Sequence, residues 1–270
     1  MNIYQMKRIQ LLFLLPFFFW GCKNTSLSVG TGFTAEVMDE RYERSPSQET
    51  PLLTRMETVL APYKMRVDSL MKPVVGESSE YMTAHRPQSL LTNLTADMLL
   101  AEAQRWDSTV VMAFVNVGGI RSALPKGLIT YGDILEMLPF ENRLFLMTLS
   151  GRQVRNLFLD LIRCGGEGFS GATVIGTFVK AQPEESVVEK LLVNGRPVGD
   201  SMNYRIATLD YLAEGNDGFL TLRQGTERLK PKGDVMIRDL FFHYLAQEYA
   251  KGKTVSAKID DRIILKTGKQ

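Results

Sequence analysis

A continuous apolar run, Val110–Val115, is the feature that most constrains the fold of this chain. A run of this length without polar interruption predicts one strand that is buried on both faces. It ends at Asn116, and a Gly118-Gly119 pair follows before Arg121. Glycines after a buried strand let the backbone turn tightly and approach a ligand closely. The segment is therefore either a plain strand-to-loop turn or a binding loop flanked by an amide and a guanidinium group.

The first residues predict export and not part of a folded domain. Lys7 and Arg8 precede a short, dense apolar run that ends in Trp20-Gly21-Cys22. A charged start, a short apolar stretch and a small residue before the cut are typical of a secretory signal peptide. A cysteine directly after the cut resembles a lipobox, although a short uncleaved membrane anchor is the alternative. We expect a signal peptide over residues 1–21, lipidation of Cys22 and a flexible tether over residues 22–50. The protein would then be membrane-anchored in the bacterial cell envelope, in the periplasm or on the cell surface.

The charge balance argues against a nucleic-acid-binding protein, and the cysteine content argues against an intrachain disulfide. The 270 residues contain 32 Lys and Arg against 30 Asp and Glu, a formal net charge of +2. Such a balance gives no basic patch for a nucleic-acid partner. If Cys22 is lipidated, Cys164 has no partner, so we expect no intrachain disulfide. We interpret Cys164 as a small buried hydrophobic residue.

Residues 51–270 predict one α+β domain with a mixed β-sheet and flanking helices, because helices and strands follow one another without strict alternation. Apolar spacing predicts helices from near 51 (with a kink or restart at Pro62), over 89–104, after the capping boxes Thr130–Asp133 and Ser150–Gln153, and around 237–245. Strands are expected at 110–115, 127–130, 144–149, 173–179, 187–193, 204–209 and 262–265. The glycine-containing stretches 76–79 and 165–170 are expected to be loops, and Asn194-Gly195 a hairpin turn.

The chain has too few ligands for a dinuclear hydrolytic site. Its two histidines, His85 and His243, lie far apart with no Asp, Glu or Cys at ligand spacing. A dimetal site that activates water needs several His, Asp and Asn ligands. Neither a nucleophile elbow nor a P-loop is present. We therefore predict no catalytic residue, no metal and no cofactor on this chain.

Several short motifs occur in one order along the sequence. They are N-V-G-G-I-R at 116–121, G-L-I-T-Y-G-D at 127–133, L-P-F-E-N at 138–142, L-S-G at 149–151, S-G at 170–171 and L-A-E-G-N-D-G-F at 212–219. This series resembles the C-terminal domain of the 5′-nucleotidase / UDP-sugar hydrolase / 2′,3′-cyclic phosphodiesterase family. The resemblance extends from about Pro51 to Lys266. In that family this domain holds the nucleotide, and a separate N-terminal metallophosphoesterase domain carries two metal ions.

The resemblance implies four ligand contacts. Asn116 and Arg121 would contact the nucleoside, and Tyr211 would stack on the base. Asp217 would accept both ribose hydroxyls, and a carboxylate is suited to two hydroxyl donors. Without the resemblance, Tyr211 would be interpreted as a packing residue, and residues 216–218 as an ordinary turn.

The chain departs from the family pattern at three further positions. The second stacking aromatic should lie at Gly166, and Phe169 is the nearby aromatic that could replace it. A family arginine aligns with His85, which makes the adjacent Arg86 a candidate ligand contact. Asn216 replaces a glycine. We interpret the remaining motif aromatics, Phe140 and Phe219, as core residues.

The leading hypothesis is a nucleotide-recognition domain in nucleotide catabolism. A divalent dimetal centre would then lie on a separate metallophosphoesterase chain. The alternative is a non-catalytic lipoprotein that binds nucleosides or presents a docking surface.

Overall fold

The computed structural model describes residues 51–233 and 235–268, with the side chains of Pro51 and Leu52 left aside. The predicted signal peptide, the lipidation site at Cys22 and the tether lie outside the described residues. The described residues from 57 onwards form one compact unit. In the part of the chain that is described, no helix is both long and apolar enough to cross a bilayer.

The order of helices and strands confirms the predicted α+β class. The helices are α1 Pro51–Met71, α2 Leu90–Trp106, α3 Tyr131–Met137, α4 Gly151–Arg163, α5 Asp210–Ala213 and α6 Ile237–Ala250. The strands are β1 Val74–Ser78, β2 Val110–Val115, β3 Gly127–Thr130, β4 Leu144–Ser150, β5 Gly168–Ser170, β6 Ala172–Phe178, β7 Val187–Val193, β8 Arg196–Pro197, β9 Asn203–Leu209, β10 Thr226–Leu229 and β11 Ile263–Thr267.

Strand β2 lies inside the largest sheet, as its apolar sequence predicts. Among the described residues the strands form three sheets, with the orders β10-β4-β9-β2-β5, β11-β6-β7-β8 and β1-β3. β2 runs parallel to β9 and antiparallel to β5, so the main sheet is mixed. This arrangement gives both edges of β2 a hydrogen-bonding partner, and five of its six side chains are buried. The prediction of a buried strand over these residues is confirmed.

Helix α4 packs against β4 and β9 of the main sheet and against β6 and β7 of the second sheet, with the apolar stripe that its sequence predicts. The stripe residues are fully buried, and they are Val154, Leu157, Phe158, Leu161 and Ile162. Burial of each such side chain contributes about 1.5–3 kcal/mol relative to leaving it exposed. Burial of the stripe therefore holds α4 against the strands that it contacts.

Two stretches expected to be loops form strands. Residues 74–78 pair with β3 as strand β1, and Gly168–Ser170 pair with Ala113–Val115 of β2. A Cβ at Gly168 would lie 2.5 Å from the Val115 side chain. Glycine is therefore needed for close approach of the two strands at this position, and not for a flexible loop. Only the partner strand makes these short segments regular.

The expected interruption of the first helix at Pro62 does not occur. Helix α1 continues from Pro51 to Met71 through this proline. Val59 and Leu60 beside it are 59% and 55% exposed. Pro62 itself is exposed, so its ring displaces no packed neighbour.

Both predicted capping boxes are confirmed. At the start of α3, Thr130 accepts a hydrogen bond from the Asp133 backbone N–H at 3.3 Å, and Asp133 accepts one from the Thr130 N–H at 2.7 Å. We expect Thr130→Ala to lower the free energy of unfolding by about 1 kcal/mol, because the Asp133 backbone N–H loses its hydrogen-bond acceptor. Urea denaturation measures the change. Thr130→Ser keeps the hydroxyl and should remain within about 0.5 kcal/mol of wild type; equal losses in both variants would contradict the capping role.

Candidate functional site

The candidate site forms where two neighbouring parallel strands end. β2 and β9 are in register at Ala113 and Ala207, so their carboxyl ends reach the same edge of the main sheet. The turn Val117–Gly119 follows β2, and α5 with the turn Asn216–Gly218 follows β9. The carboxyl edge of parallel strands is the usual ligand-binding edge in open α/β sheets. The strand order thus joins two motifs that are about a hundred residues apart in sequence.

Asp217 connects the two motifs. Its Oδ2 accepts a hydrogen bond from Asn116 Nδ2 at 2.6 Å, and its Oδ1 accepts one from the Tyr211 hydroxyl at 2.9 Å. Asn216 Nδ2 also donates to the Tyr211 carbonyl at 2.8 Å. Asp217 has a left-handed backbone with φ 55° and ψ 23°, which Asp and Asn tolerate better than other side chains. Asn116 and Tyr211, two of the predicted contact residues, therefore both donate hydrogen bonds to the third, Asp217.

The turn after β2 brings Asn116 close to the backbone. Asn116 is buried, and its Oδ1 has no hydrogen-bond donor among the described residues. A Cβ at Gly119 would lie 2.7 Å from this oxygen, so the second glycine of the pair is needed for the approach. Arg121 donates from its backbone N–H to the Met137 carbonyl and from Nη1 to the Gly118 carbonyl. The turn is thus held at both ends.

A cavity of about 340 Å³ contains all four of these predicted contact residues. Its lining consists of Asn116, Gly118, Gly119, Arg121, Phe140, Asn142, Tyr211 and Asp217. A space of this size lies within the range of small-molecule sites, about 300–1,000 Å³. The lining combines two amides, a guanidinium, a carboxylate and two aromatic rings. It can therefore accept and donate hydrogen bonds while it packs against a planar group.

Phe140 is a site residue, and its interpretation as core is wrong. Its side chain is 49% exposed and lines the cavity with Tyr211, which is 41% exposed. Phe219, in contrast, is buried as expected. Phe140 follows Leu138-Pro139 and precedes the polar pair Glu141-Asn142. An aromatic residue between a proline and polar residues in a loop was the available signal that it is not in the core.

Phe169 lies in the core, which corrects its assignment as a ligand contact. It is 1% exposed, and its ring lies 5.1 Å from that of Phe158 and 6.1 Å from that of Phe114. Strand β5 directs this side chain into the aromatic cluster that these three rings form. Phe169 would have to leave this cluster to contact a ligand, and Phe140 takes its expected place in the cavity.

Arg86 lies outside the cavity lining and is connected to the turn after β2 through Glu167. Its guanidinium forms an ion pair with the buried Glu167 and donates from Nε to the Gly166 carbonyl at 2.9 Å. The other carboxylate oxygen of Glu167 accepts a hydrogen bond from the Val117 N–H. Arg86 therefore positions the turn after β2 through Glu167, and its expected ligand contact stays a prediction.

Burial raises the pKa of Glu167, while the Val117 N–H and the Arg86 guanidinium oppose the shift. Burial likewise raises the pKa of the nearby Cys164 thiol to about 11. Cys164 is half-buried and hence a protonated thiol at neutral pH, as its interpretation as a hydrophobic residue requires.

Two positions that the sequence did not single out fix the geometry. Glu167 is one, because it joins the β2 turn to Arg86. The other is Asp210, whose Oδ1 accepts hydrogen bonds from the backbone N–H groups of Arg143 and Tyr211, both at 2.9 Å. Asp210 therefore holds the loop that carries Phe140 beside the helix that carries Tyr211. Neither carboxylate stands in a recognisable motif, so only the structure identifies them.

The described residues do not fit a dimetal centre. Over residues 51–233 and 235–268 no three His, Cys, Asp or Glu side chains are grouped so that they could hold a metal ion. His85 and His243 are both exposed and lie on separate elements.

Comparison with known proteins gives one family. The model of the family described as "5'-nucleotidase, C-terminal domain" matches residues 74–224. The chain is 33% identical over 153 residues to the "Probable 5'-nucleotidase" of Treponema pallidum, a match that covers 52% of this chain and 26% of the relative. It is 26% identical over 242 residues to the trifunctional nucleotide phosphoesterase protein YfkN of Bacillus subtilis, which covers 84% of this chain and 16% of the relative. The chain thus matches about a quarter or less of the length of these relatives.

The fold agrees with that family. The crystal structure of a 5′-nucleotidase precursor from Thermus thermophilus superposes with a TM-score of 0.65 and 28% sequence identity. The superposition covers 77% of this chain and 42% of that one.

Proposed function

Because the chain belongs to the 5′-nucleotidase C-terminal domain family, we propose that it recognises a nucleotide or nucleoside at the cavity between β2 and β9. We further propose that hydrolysis takes place on a separate metallophosphoesterase chain. In this proposal the protein is exported and held at the membrane by lipid on Cys22.

The observation that carries the proposal is the convergence of Asn116, Arg121, Tyr211 and Asp217 on one cavity. Asp217 is suited to the ribose hydroxyls, because a carboxylate accepts hydrogen bonds from both. Tyr211 and Phe140 are exposed aromatic rings that can pack against a base. Arg121 supplies a planar cation for an anionic or carbonyl group of the ligand.

The division of labour rests on the residues of each chain. Over the described residues no His, Cys, Asp and Glu side chains are grouped to hold a metal ion, which supports a role in binding and orienting the ligand for this chain. Metal ions on the partner would supply Lewis acidity and a nucleophilic water. Binding energy gained on the nucleoside here would place the phosphate for attack there, which lowers the entropic part of the barrier.

Mixing the two chains tests the proposal. The full chain is added to a purified metallophosphoesterase chain from the same organism, and hydrolysis of nucleoside monophosphates is followed. We expect this chain to raise the kcat/KM of the phosphoesterase. With Arg121→Ala, kcat/KM should be at least about tenfold lower than with the wild-type chain, because a charged contact is lost. Arg152→Ala, an exposed arginine on α4 outside the cavity, is the matched control. Equal turnover with both variants would reject the proposed role.

A second function differs from the first only in the step after binding. A lipoprotein that captures nucleosides without a phosphatase would use the same cavity. The absence of a metal-binding cluster among the described residues favours it as the alternative. Calorimetry separates the two, because nucleoside affinity with no effect on any phosphatase supports capture alone. No affinity at all would leave a structural role.

A further inference from the structure

The carboxylate of Asp217 is already engaged from two directions. Asn116 reaches Oδ2 from the interior, since its side chain is only 5% exposed. Tyr211 reaches Oδ1 from the open side of the cavity, since it is 41% exposed. A ligand that enters the cavity therefore meets the oxygen that the Tyr211 hydroxyl already occupies.

The two hydrogen bonds differ in how easily a ligand can replace them. The Asn116 amide is buried directly after β2, where a Cβ at Gly119 would lie 2.7 Å from its oxygen, so it has little room to move. The Tyr211 hydroxyl is at the end of an exposed ring, and water can solvate it once it leaves Asp217. Its bond to Asp217 also raises the pKa of the phenol, which keeps it a proton donor.

We propose that the Tyr211 hydroxyl competes with the hydroxyl groups of the ligand sugar for Asp217 Oδ1, and that this competition sets how strongly the site prefers ribose. The inference rests on the proposed function, because it concerns the same cavity. Binding of a vicinal diol displaces the phenol from Oδ1, while the Tyr211 ring remains available for the base. A ligand without a diol leaves the Tyr211–Asp217 bond intact.

The competition predicts an increase in affinity when the hydroxyl is removed. Tyr211→Phe keeps the ring and frees Asp217 Oδ1. By calorimetry with the full chain, we expect adenosine to bind about two- to tenfold more tightly to this variant than to wild type. The affinity for 2′,3′-dideoxyadenosine, which has no diol, should stay within about twofold.

A double variant isolates the contact. In an Asp217→Ala background the carboxylate for which the phenol competes is gone. Tyr211→Phe should therefore leave the affinity for adenosine unchanged in that background. If wild type binds adenosine and Tyr211→Phe binds it equally or less tightly, this inference is overturned and the proposed function stands. If neither chain binds either nucleoside, both are overturned. Tighter binding of both nucleosides by the same factor would show a general effect of the ring and overturn the competition.

Discussion

Asp217→Ala is expected to weaken the binding of adenosine by about 10- to 100-fold, the largest effect of any single change in the cavity. Asp217 is the one residue that contacts both motifs, through Asn116 and through Tyr211. Its removal takes away the acceptor for the ribose hydroxyls and releases both neighbours. Isothermal calorimetry on the full chain measures the change in Kd.

Two further variants separate binding from folding. Asp217 has φ 55°, where alanine is strained, whereas asparagine tolerates this region and keeps the side-chain shape. Asp217→Asn should therefore keep the stability of wild type and still lose about tenfold in affinity, because a neutral amide oxygen is a weaker acceptor. Asp261→Ala, an exposed carboxylate away from this cavity, is the matched control. Wild-type affinity in both Asp217 variants would mean that the cavity does not hold a ribose.

Arg86→Ala is expected to lower the free energy of unfolding by about 2–3 kcal/mol at about pH 8. It leaves the Glu167 carboxylate buried without its cation, which costs about 3–5 kcal/mol where a pair is fully buried. The smaller figure applies because the Arg86 side chain is 42% exposed, so solvent already screens the pair. Urea denaturation measures the loss.

The pH dependence identifies the charge as the cause. Burial raises the pKa of Glu167 above its ordinary value of 4.5, so the folded state holds this proton more tightly than the unfolded state does. The proton on Glu167 stabilises the folded state below pH 4.5. This stabilisation is lost as the pH rises through the pKa that Glu167 has in the folded state. Arg86→Ala should raise that pKa further. Its destabilisation should therefore be small below 4.5 and large at about pH 8.

Removing the carboxylate as well gives the control. In the double variant Arg86→Ala and Glu167→Gln no buried charge is left, so most of the lost stability should return and the pH dependence should flatten. Arg163→Ala breaks a partly exposed pair with Asp160 at 4.0 Å and should cost less than about 1 kcal/mol. A loss in Arg86→Ala that is the same at both pH values would contradict the electrostatic explanation.

Local patterns predicted most of the secondary structure. The bounds of β2 and β3 and both capping boxes follow from the order of apolar, glycine and hydroxyl residues within a few positions. Strands β1, β5, β8 and β10 were missed, because they are short and contain glycine or charged residues. They are strands only because a neighbouring strand supplies hydrogen bonds, and a partner distant in sequence leaves no local pattern.

The sequence also determined the family. An ordered series of motifs is readable in one dimension, since spacing and residue type suffice to identify it. The family match over residues 74–224 confirms that interpretation.

Only the tertiary structure decided which aromatic ring faces the cavity and which charges lie behind it. Phe140 and Phe169 are equally apolar in sequence, but the loop leaves one 49% exposed and the strand buries the other at 1%. Glu167 meets Arg86 from 81 residues away because β5 adds to the edge of β2. Burial and charge pairing depend on which segments become neighbours. The Asn116–Arg121 turn was thus predicted from the sequence as a candidate binding loop, while its hydrogen-bond partners were set by the strand order.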